Sequence, residues 1–122
     1  MRWYHRALIA VMLCASATAY GADADGRYQI WGPGITNCKS YVEMATAQNA
    51  DFTKMAFWAG GYLTAYNQLS DKTWDILGKD GTVSGVMLWL VGFCNKHPNE
   101  ILAIAIRQFT AEHKDNRITS KP

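Results

Sequence analysis

The side chains able to carry out chemistry are few in this sequence and lie far apart. Beyond residue 22 the histidines are His97 and His113, sixteen positions apart, and the cysteines are Cys38 and Cys94. A disulfide between those cysteines would leave no free thiol to act as a nucleophile. The chain contains no nucleophile-elbow, zinc-protease or phosphate-loop motif. We therefore predict a protein that is not an enzyme and that holds neither metal nor cofactor, since a catalytic site would need one of the two histidines to meet a carboxylate.

The first 22 residues have the pattern of an export signal. Two arginines precede an apolar run over residues 7–15, and Ala17-Thr18-Ala19 has the small-x-small form of a cleavage site. The apolar run is shorter than the roughly 20 residues that a membrane-spanning helix needs. We therefore predict a signal peptide over residues 1–22, cleaved after Ala19 or Ala22, and a periplasmic mature protein without a membrane anchor.

Removal of the first 19 residues brings the net charge close to zero. It takes away two of the 12 Lys and Arg residues and none of the 10 Asp and Glu residues, which leaves ten of each sign. With no basic stripe remaining, nucleic acid and anionic membrane surfaces are poor partners. Cys14 also leaves, so Cys38 and Cys94 remain as a pair, and export permits a disulfide between them. The chain-entropy relation gives such a bridge about 4 kcal/mol of stability.

Apolar residues that repeat at three and four positions predict an all-α fold with helices at about 38–48, 52–69, 82–96 and 98–113. The third helix is apolar on nearly every side, which is typical of a helix at the centre of its domain. Pro98 ends that helix at His97 and suits the first turn of the fourth. We expect a small single-domain bundle of about four helices closed by one disulfide. Its parts are an irregular N-terminal arm over 23–36, a helical domain over 37–113 and a flexible C-terminal tail over 114–122.

The segments between the helices carry capping residues. Thr36 or Asn37 can cap the first helix, Asn49 ends it, and Asp51 can cap the second. In the linker over residues 70–81, we expect Trp74 to cover the core.

The second predicted helix is the candidate partner-binding element. Its apolar seam consists of Phe52, Met55, Ala59, Tyr62, Tyr66 and Leu69. Beside the seam, Ala56, Gly60 and Thr64 form a stripe of small side chains. One interpretation is that another helix crosses closely there, from the same chain or from a second copy in a homodimer. The other is a shallow groove that binds an apolar partner, floored by glycine and walled by Trp58 and Tyr62. The hypothetical binding residues are Trp58, Gly60, Gly61, Tyr62 and Tyr66.

Two stretches around the cysteines, Phe93-Cys94-Asn95-Lys96-His97-Pro98 and Asn37-Cys38-Lys39-Ser40-Tyr41, form a distinctive pattern. The first resembles the aromatic-Cys-x-Lys-x-Pro stretch, and the second the opening Cys-x-x-aromatic segment, of the HdeA/HdeB family of small periplasmic acid-stress proteins. The aromatic residues between positions 56 and 63 lie where the family has an aromatic-rich helix. The resemblance implies a small helical protein with a Cys38–Cys94 disulfide. It also implies a chaperone that works without ATP, exposes apolar surface at low pH and holds unfolded client proteins.

A second resemblance suggests a different partner. The stretch 61–67 and the long linker look like the Tai family of immunity proteins, which block toxic amidases in the periplasm and usually contain more cysteines. The expected function is therefore protein binding in response to acid stress, with an immunity-type inhibitor as the alternative. In strong acid the ten Lys and Arg residues plus two His would give about +12 once the ten carboxylates are neutral, and such self-repulsion loosens a small domain.

Overall fold

The computed structural model describes residues 21–122. Within them the chain forms four α-helices: α1 Cys38–Thr46, α2 Ala50–Leu69, α3 Val83–Lys96 and α4 Leu102–His113. Two short 3-10 helices lie at Gly32–Ile35 and Lys114–Asn116. This part of the chain has two isolated bridges and no β-strand, and a disulfide joins Cys38 to Cys94. The predicted all-α fold with its disulfide is confirmed.

Two predictions concern the membrane and export. No helix between residues 21 and 122 combines the length and the apolar character that crossing a bilayer requires. The predicted signal peptide lies outside the described residues except for positions 21 and 22, and it stays a prediction.

Side-chain caps set the starts of the first three helices. The side chain of Asn37 accepts a hydrogen bond from the backbone N–H of Lys39 at 2.8 Å. Asn49 accepts one from Asp51 at 2.9 Å, and Thr82 one from Gly85 at 3.0 Å. Each cap satisfies an N–H that has no partner inside its own helix. The predicted cap of α2 at Asp51 is therefore wrong, because Asn49 takes that role and the helix begins at Ala50.

The segment after α3 does not continue into α4 as predicted, because α4 begins at Leu102 rather than at Pro98. The carbonyls of Pro98 and Glu100 instead accept hydrogen bonds from the backbone N–H groups of Lys39 and Cys38, at 3.2 and 2.8 Å. The N–H of Leu102 donates in turn to the carbonyl of Thr36 at 2.9 Å. We call these paired segments, 36–39 and 98–102, the clamp. The first turn of α1 needs acceptors for its free N–H groups, and the clamp supplies them.

The core forms around α3, which packs against α1, α2 and α4. Cys94 on α3 is bonded to Cys38 on α1, and both cysteines are buried. The buried hydroxyl of Tyr41 donates to the carbonyl of Met87 at 2.8 Å, and burial raises the pKa of Tyr41. The prediction that the third helix is central is confirmed. It is not buried on every side, however, since Leu88 is 73% exposed.

The N-terminal arm lies across the helices. The carbonyl of Trp31 accepts a hydrogen bond from the indole Nε1–H of Trp58 at 3.1 Å. Gly34 is buried so tightly against the same indole that a Cβ there would collide with the ring. The arm therefore fixes Trp58 against the body of the protein.

The C-terminal segment, predicted to be a flexible tail from residue 114, is structured as far as Ile118. Lys114–Asn116 form a turn of 3-10 helix, and Ile118 pairs with Asp75 of the linker. Trp74, predicted to cover the core, is 49% exposed, and the linker side chain that enters the core is Ile76. The predicted cover is therefore wrong: Ile76, whose N–H donates to the side chain of Asn67 at 2.9 Å, is the linker residue that fills the core.

Candidate functional site

The surface of α2 differs from the predicted seam. Met55, Ala59 and Leu63 are buried in the core, whereas Leu69 is 81% exposed. The predicted seam is therefore wrong at its C-terminal end, where Leu63 rather than Leu69 reaches the interior. This burial turns the neighbouring face of α2, with its small side chains, toward the surface.

No helix in residues 21–122 crosses the stripe of small residues. A Cβ placed at Gly60 or at Gly61 would meet no atom within 4 Å outside the local backbone. Gly61 and Thr64 are exposed, and Ala56 and Gly60 are partly so. The interpretation of a close crossing within the chain is wrong, because no other element lies within contact distance of a Cβ at Gly60, the centre of the stripe. The stripe is an open surface.

That surface is one wall of a groove between α2 and α3. It consists of two adjoining hollows, of about 320 and 540 Å³, that share Ala56 and Val83. The first is lined by Phe52, Ala56, Val83, Ser84, Met87 and Leu88, and the second by Thr53, Ala56, Phe57, Gly60, Gly61, Thr64 and Val83. We call this feature the α2–α3 groove. None of its lining residues is acidic, basic or a histidine.

Two large apolar side chains stand at the surface of the groove. Phe57 is 79% exposed and Leu88 is 73% exposed. Burying a side chain of this size contributes roughly 1.5–3 kcal/mol. A contiguous apolar surface of this kind marks an interaction site more often than scattered single residues do. The groove can therefore bind an apolar partner through water release, with no acid–base chemistry.

The predicted binding residues separate into two groups. Gly60 and Gly61 line the α2–α3 groove, and their role in binding stays a prediction. Trp58 and Tyr62 do not line it, so the predicted walls are wrong. The arm covers Trp58, the rings of Trp58 and Tyr62 are 5.8 Å apart, and partial burial raises the pKa of Tyr62. Tyr66 is partly buried and packs against the core instead of lining the groove.

The sequence contains signals for the actual walls, Phe57 and Leu88. Phe57 is a large apolar residue outside the seam and next to the small stripe. Leu88 lies one turn from Ser84 and from Gly92, so its side of α3 has little else to bury. In both helices, a large apolar residue outside the core-facing positions was thus the sequence feature that indicated a wall of the groove.

A second cleft, of about 690 Å³, lies between α3 and α4. Along one side of it, the rings of Trp89 and Phe93 stack at 5.6 Å, and His97 stacks on Phe93 at 4.3 Å. The Phe93 ring therefore has two aromatic neighbours, one turn before it and one turn after it. Glu100 and Glu112 also line the cleft, but neither forms an ion pair with a histidine in the described chain.

The other histidine is engaged with its own helix. The Nδ1–H of His113 donates to the carbonyl of Phe109 at 2.8 Å, and the two rings stack at 4.1 Å. Within residues 21–122, no three His, Cys, Asp or Glu side chains come together in a way that could hold a metal ion. None of the described ion pairs joins a histidine to a carboxylate, although His97, Glu100 and Glu112 line the same cleft.

Comparison with known proteins adds no assignment. No family model, no curated protein and no solved structure matches this chain. The resemblances to the HdeA/HdeB and Tai families rest on the sequence stretches quoted above.

Proposed function

We propose that this chain is a non-enzymatic, exported protein that binds other proteins through the α2–α3 groove. The observation that carries the proposal is the pair of exposed anchors, Phe57 and Leu88, in a groove without a charged lining residue. Binding energy in protein interfaces concentrates in a few large side chains that become fully desolvated. Phe57 and Leu88 supply such side chains, and Gly60 and Gly61 in the hollow beside Phe57 leave room for the partner.

The resemblance to HdeA/HdeB proteins supplies one version of this function, an acid-stress chaperone. The approach to about +12 in strong acid supports it, because self-repulsion would expose further apolar surface. The disulfide would limit that opening, since it holds α1 to α3. In this version acid adds binding surface to the groove.

The second version is a constitutive binder, of which a Tai-like inhibitor of a secreted amidase is the example. One observation favours it: the groove is already exposed in the folded protein, and no lining residue titrates. Such a protein captures one defined exported partner at neutral pH. Capture that needs an acid step would contradict this version.

The test of the proposal is a pair of charge substitutions at two leucines that are both more than 70% exposed. Leu88→Asp places a carboxylate in the groove, and Leu69→Asp places one on α2 outside it, where Leu69 is 81% exposed. Suppression of aggregation of a reduced, unfolded client is measured at about pH 7 and about pH 2. At about pH 7 we expect the wild type and Leu69→Asp to suppress aggregation and Leu88→Asp to lose most of this effect. Because aspartate is neutral at about pH 2, the same comparison is made there with Leu69→Lys and Leu88→Lys, which stay charged.

The outcomes separate the possibilities. Activity at both pH values supports a constitutive groove, and activity restricted to acid supports the chaperone version. Equal activity of both variants would remove the groove from the function. A wild type that binds neither the client nor an exported partner would contradict protein binding itself.

The predicted homodimer is a further candidate for the same surface. Gly60 and Gly61 have no neighbouring side chain above them, so a second copy could approach closely. Sedimentation of the wild type, Leu88→Asp and Leu69→Asp tests this prediction. A dimer that only Leu88→Asp dissociates would support it.

A further inference from the structure

We infer that the α2–α3 groove binds a single amphipathic α-helix of a partner protein. The inference rests on the proposed function and specifies the partner's chemistry. It follows from three properties of the groove, which are its backbone, its lining and its length.

The backbone around the groove offers no ladder of hydrogen bonds to a partner. Both walls belong to α-helices, α2 and α3, whose interior N–H and C=O groups are already paired within the helix. The exceptions are Val83 and Ser84 in the first turn of α3, and two adjacent N–H groups do not make a ladder for an extended chain. An extended partner could not pair its backbone here as it would at a sheet edge. Its own N–H and C=O groups would be buried against apolar side chains without partners, and each such group costs roughly 1–3 kcal/mol. A helix avoids this loss because it satisfies its backbone internally.

The lining also constrains the partner's side chains. The groove contains Phe52, Ala56, Phe57, Val83 and Leu88 and no ionisable residue. A partner charge buried here would remain unpaired, which is unfavourable. The contact face must therefore be apolar, while the opposite face of the partner stays in water and is polar. An amphipathic helix has this distribution.

The length of the groove agrees with a short helix. Phe52 and Thr64 mark the ends of its α2 wall. At about 1.5 Å per residue these twelve steps span about 18 Å, or a little over three turns. A helix of about 12 residues has that length and presents apolar anchors at i, i+3, i+4 and i+7 on one face. Gly60 and Gly61 lie without overlying atoms, so the partner's anchors can enter the groove there.

The experiment compares two peptides that differ in helix formation. The first is a capped peptide of about 15 residues with leucines at i, i+3, i+4, i+7 and i+11 and with Glu and Lys elsewhere. The second has a proline at a central polar position, which keeps every leucine but breaks the helix. Binding is followed by NMR shifts of the Gly60 and Gly61 amides and by circular dichroism of the peptide. We expect the helical peptide to gain helicity and to bind at least about tenfold more tightly.

Two lysine substitutions provide the site control. Gly61→Lys places a charge in the groove, and Gly92→Lys places the same residue on α3, facing the α3–α4 cleft. Neither site has an atom within 4 Å of the new Cβ, and lysine favours a helix over glycine, so both variants should fold. We expect Gly61→Lys to weaken peptide binding at least about tenfold and Gly92→Lys to leave it unchanged.

The results distinguish the inference from the proposed function. Equal binding of the proline peptide, or binding of an unfolded client alone, would overturn the helical partner and leave protein binding intact. A groove closed by a second copy of the chain, dissociated by Gly61→Lys, would also overturn it. If neither peptide nor the unfolded client binds, both proposals fail.

Discussion

Two sides of α3 carry the same kind of residue but face different surroundings. On one side Leu90 is fully buried, Cys94 is bonded to α1, and the carbonyl of Met87 accepts the hydroxyl of Tyr41 at 2.8 Å. On the other side Leu88 is 73% exposed at the α2–α3 groove. We call these the sealed side and the open side. The apolar character of α3 is thus divided between stability on the sealed side and a binding surface on the open side.

Breaking the disulfide should have the largest effect on this contrast. The bridge closes a loop of 56 residues in sequence separation, and its removal should lower the free energy of unfolding by about 4 kcal/mol. Urea unfolding of the wild type with and without reductant, and of the Cys38→Ala/Cys94→Ala double variant, measures this loss. Equal midpoints in both conditions would show that the sealed side does not depend on the bridge.

A pair of leucines two residues apart compares the sides directly. Leu90→Ala should lower the free energy of unfolding by about 2–5 kcal/mol, because it leaves a cavity among buried side chains. Leu88→Ala should change it by less than about 0.5 kcal/mol, since Leu88 lies at the surface. Urea unfolding of both variants tests the contrast, and similar losses would contradict the assignment of an open side.

The sealed side should also lose part of its contribution to folding stability at alkaline pH. Burial raises the pKa of Tyr41 above its ordinary value of 10.0, because the folded protein favours the neutral phenol. The resulting stability is complete below about pH 10 and is lost as the pH rises toward the raised pKa. Tyr41→Phe should therefore lose about 1 kcal/mol at neutral pH, with its hydrogen bond to Met87, and then weaken less above about pH 10. Unfolding midpoints across this range measure the two slopes, and parallel slopes would contradict the prediction.

Alanine substitutions at two glycines extend the comparison to α2. Gly60→Ala should stabilise the protein by up to about 1 kcal/mol, because the new methyl group meets no atom and alanine favours the helix. Gly34→Ala should destabilise it, because its Cβ would collide with Trp58. Thermal unfolding ranks the two variants against the wild type. A higher unfolding midpoint for Gly34→Ala than for Gly60→Ala would show that the space for a new side chain lies under the arm and not at the groove.

Local patterns predicted the elements of the fold better than their contacts. The bounds of α3 follow from its own residues, since Thr82 caps it and Pro98 prevents its continuation. The start of α4 could not be read in the same way. Its position depends on the clamp, in which Pro98 and Glu100 contact residues about 60 positions earlier in the chain.

The same limit applies to the groove. The small residues of α2 identified an unusual face, and periodicity placed Gly60 and Gly61 on it. Periodicity does not say which neighbour covers each side chain, so the sequence assigned the walls to Trp58 and Tyr62. Trp58 is held by the arm through its hydrogen bond to Trp31, 27 residues earlier in the sequence. Phe57 has no such contact with the arm, stays exposed and forms the wall.

The disulfide and the linker together have a consequence for proteolysis. Residues Asp71 and Lys72 are exposed between α2 and α3, and both lie inside the ring of chain that Cys38 and Cys94 close. A protease that cuts there produces two fragments, each carrying one wall of the groove and one of the bonded cysteines. The nicked protein keeps its full mass, plus one water, until a reductant releases the halves. Cleavage at this point would therefore go unnoticed on a non-reducing gel.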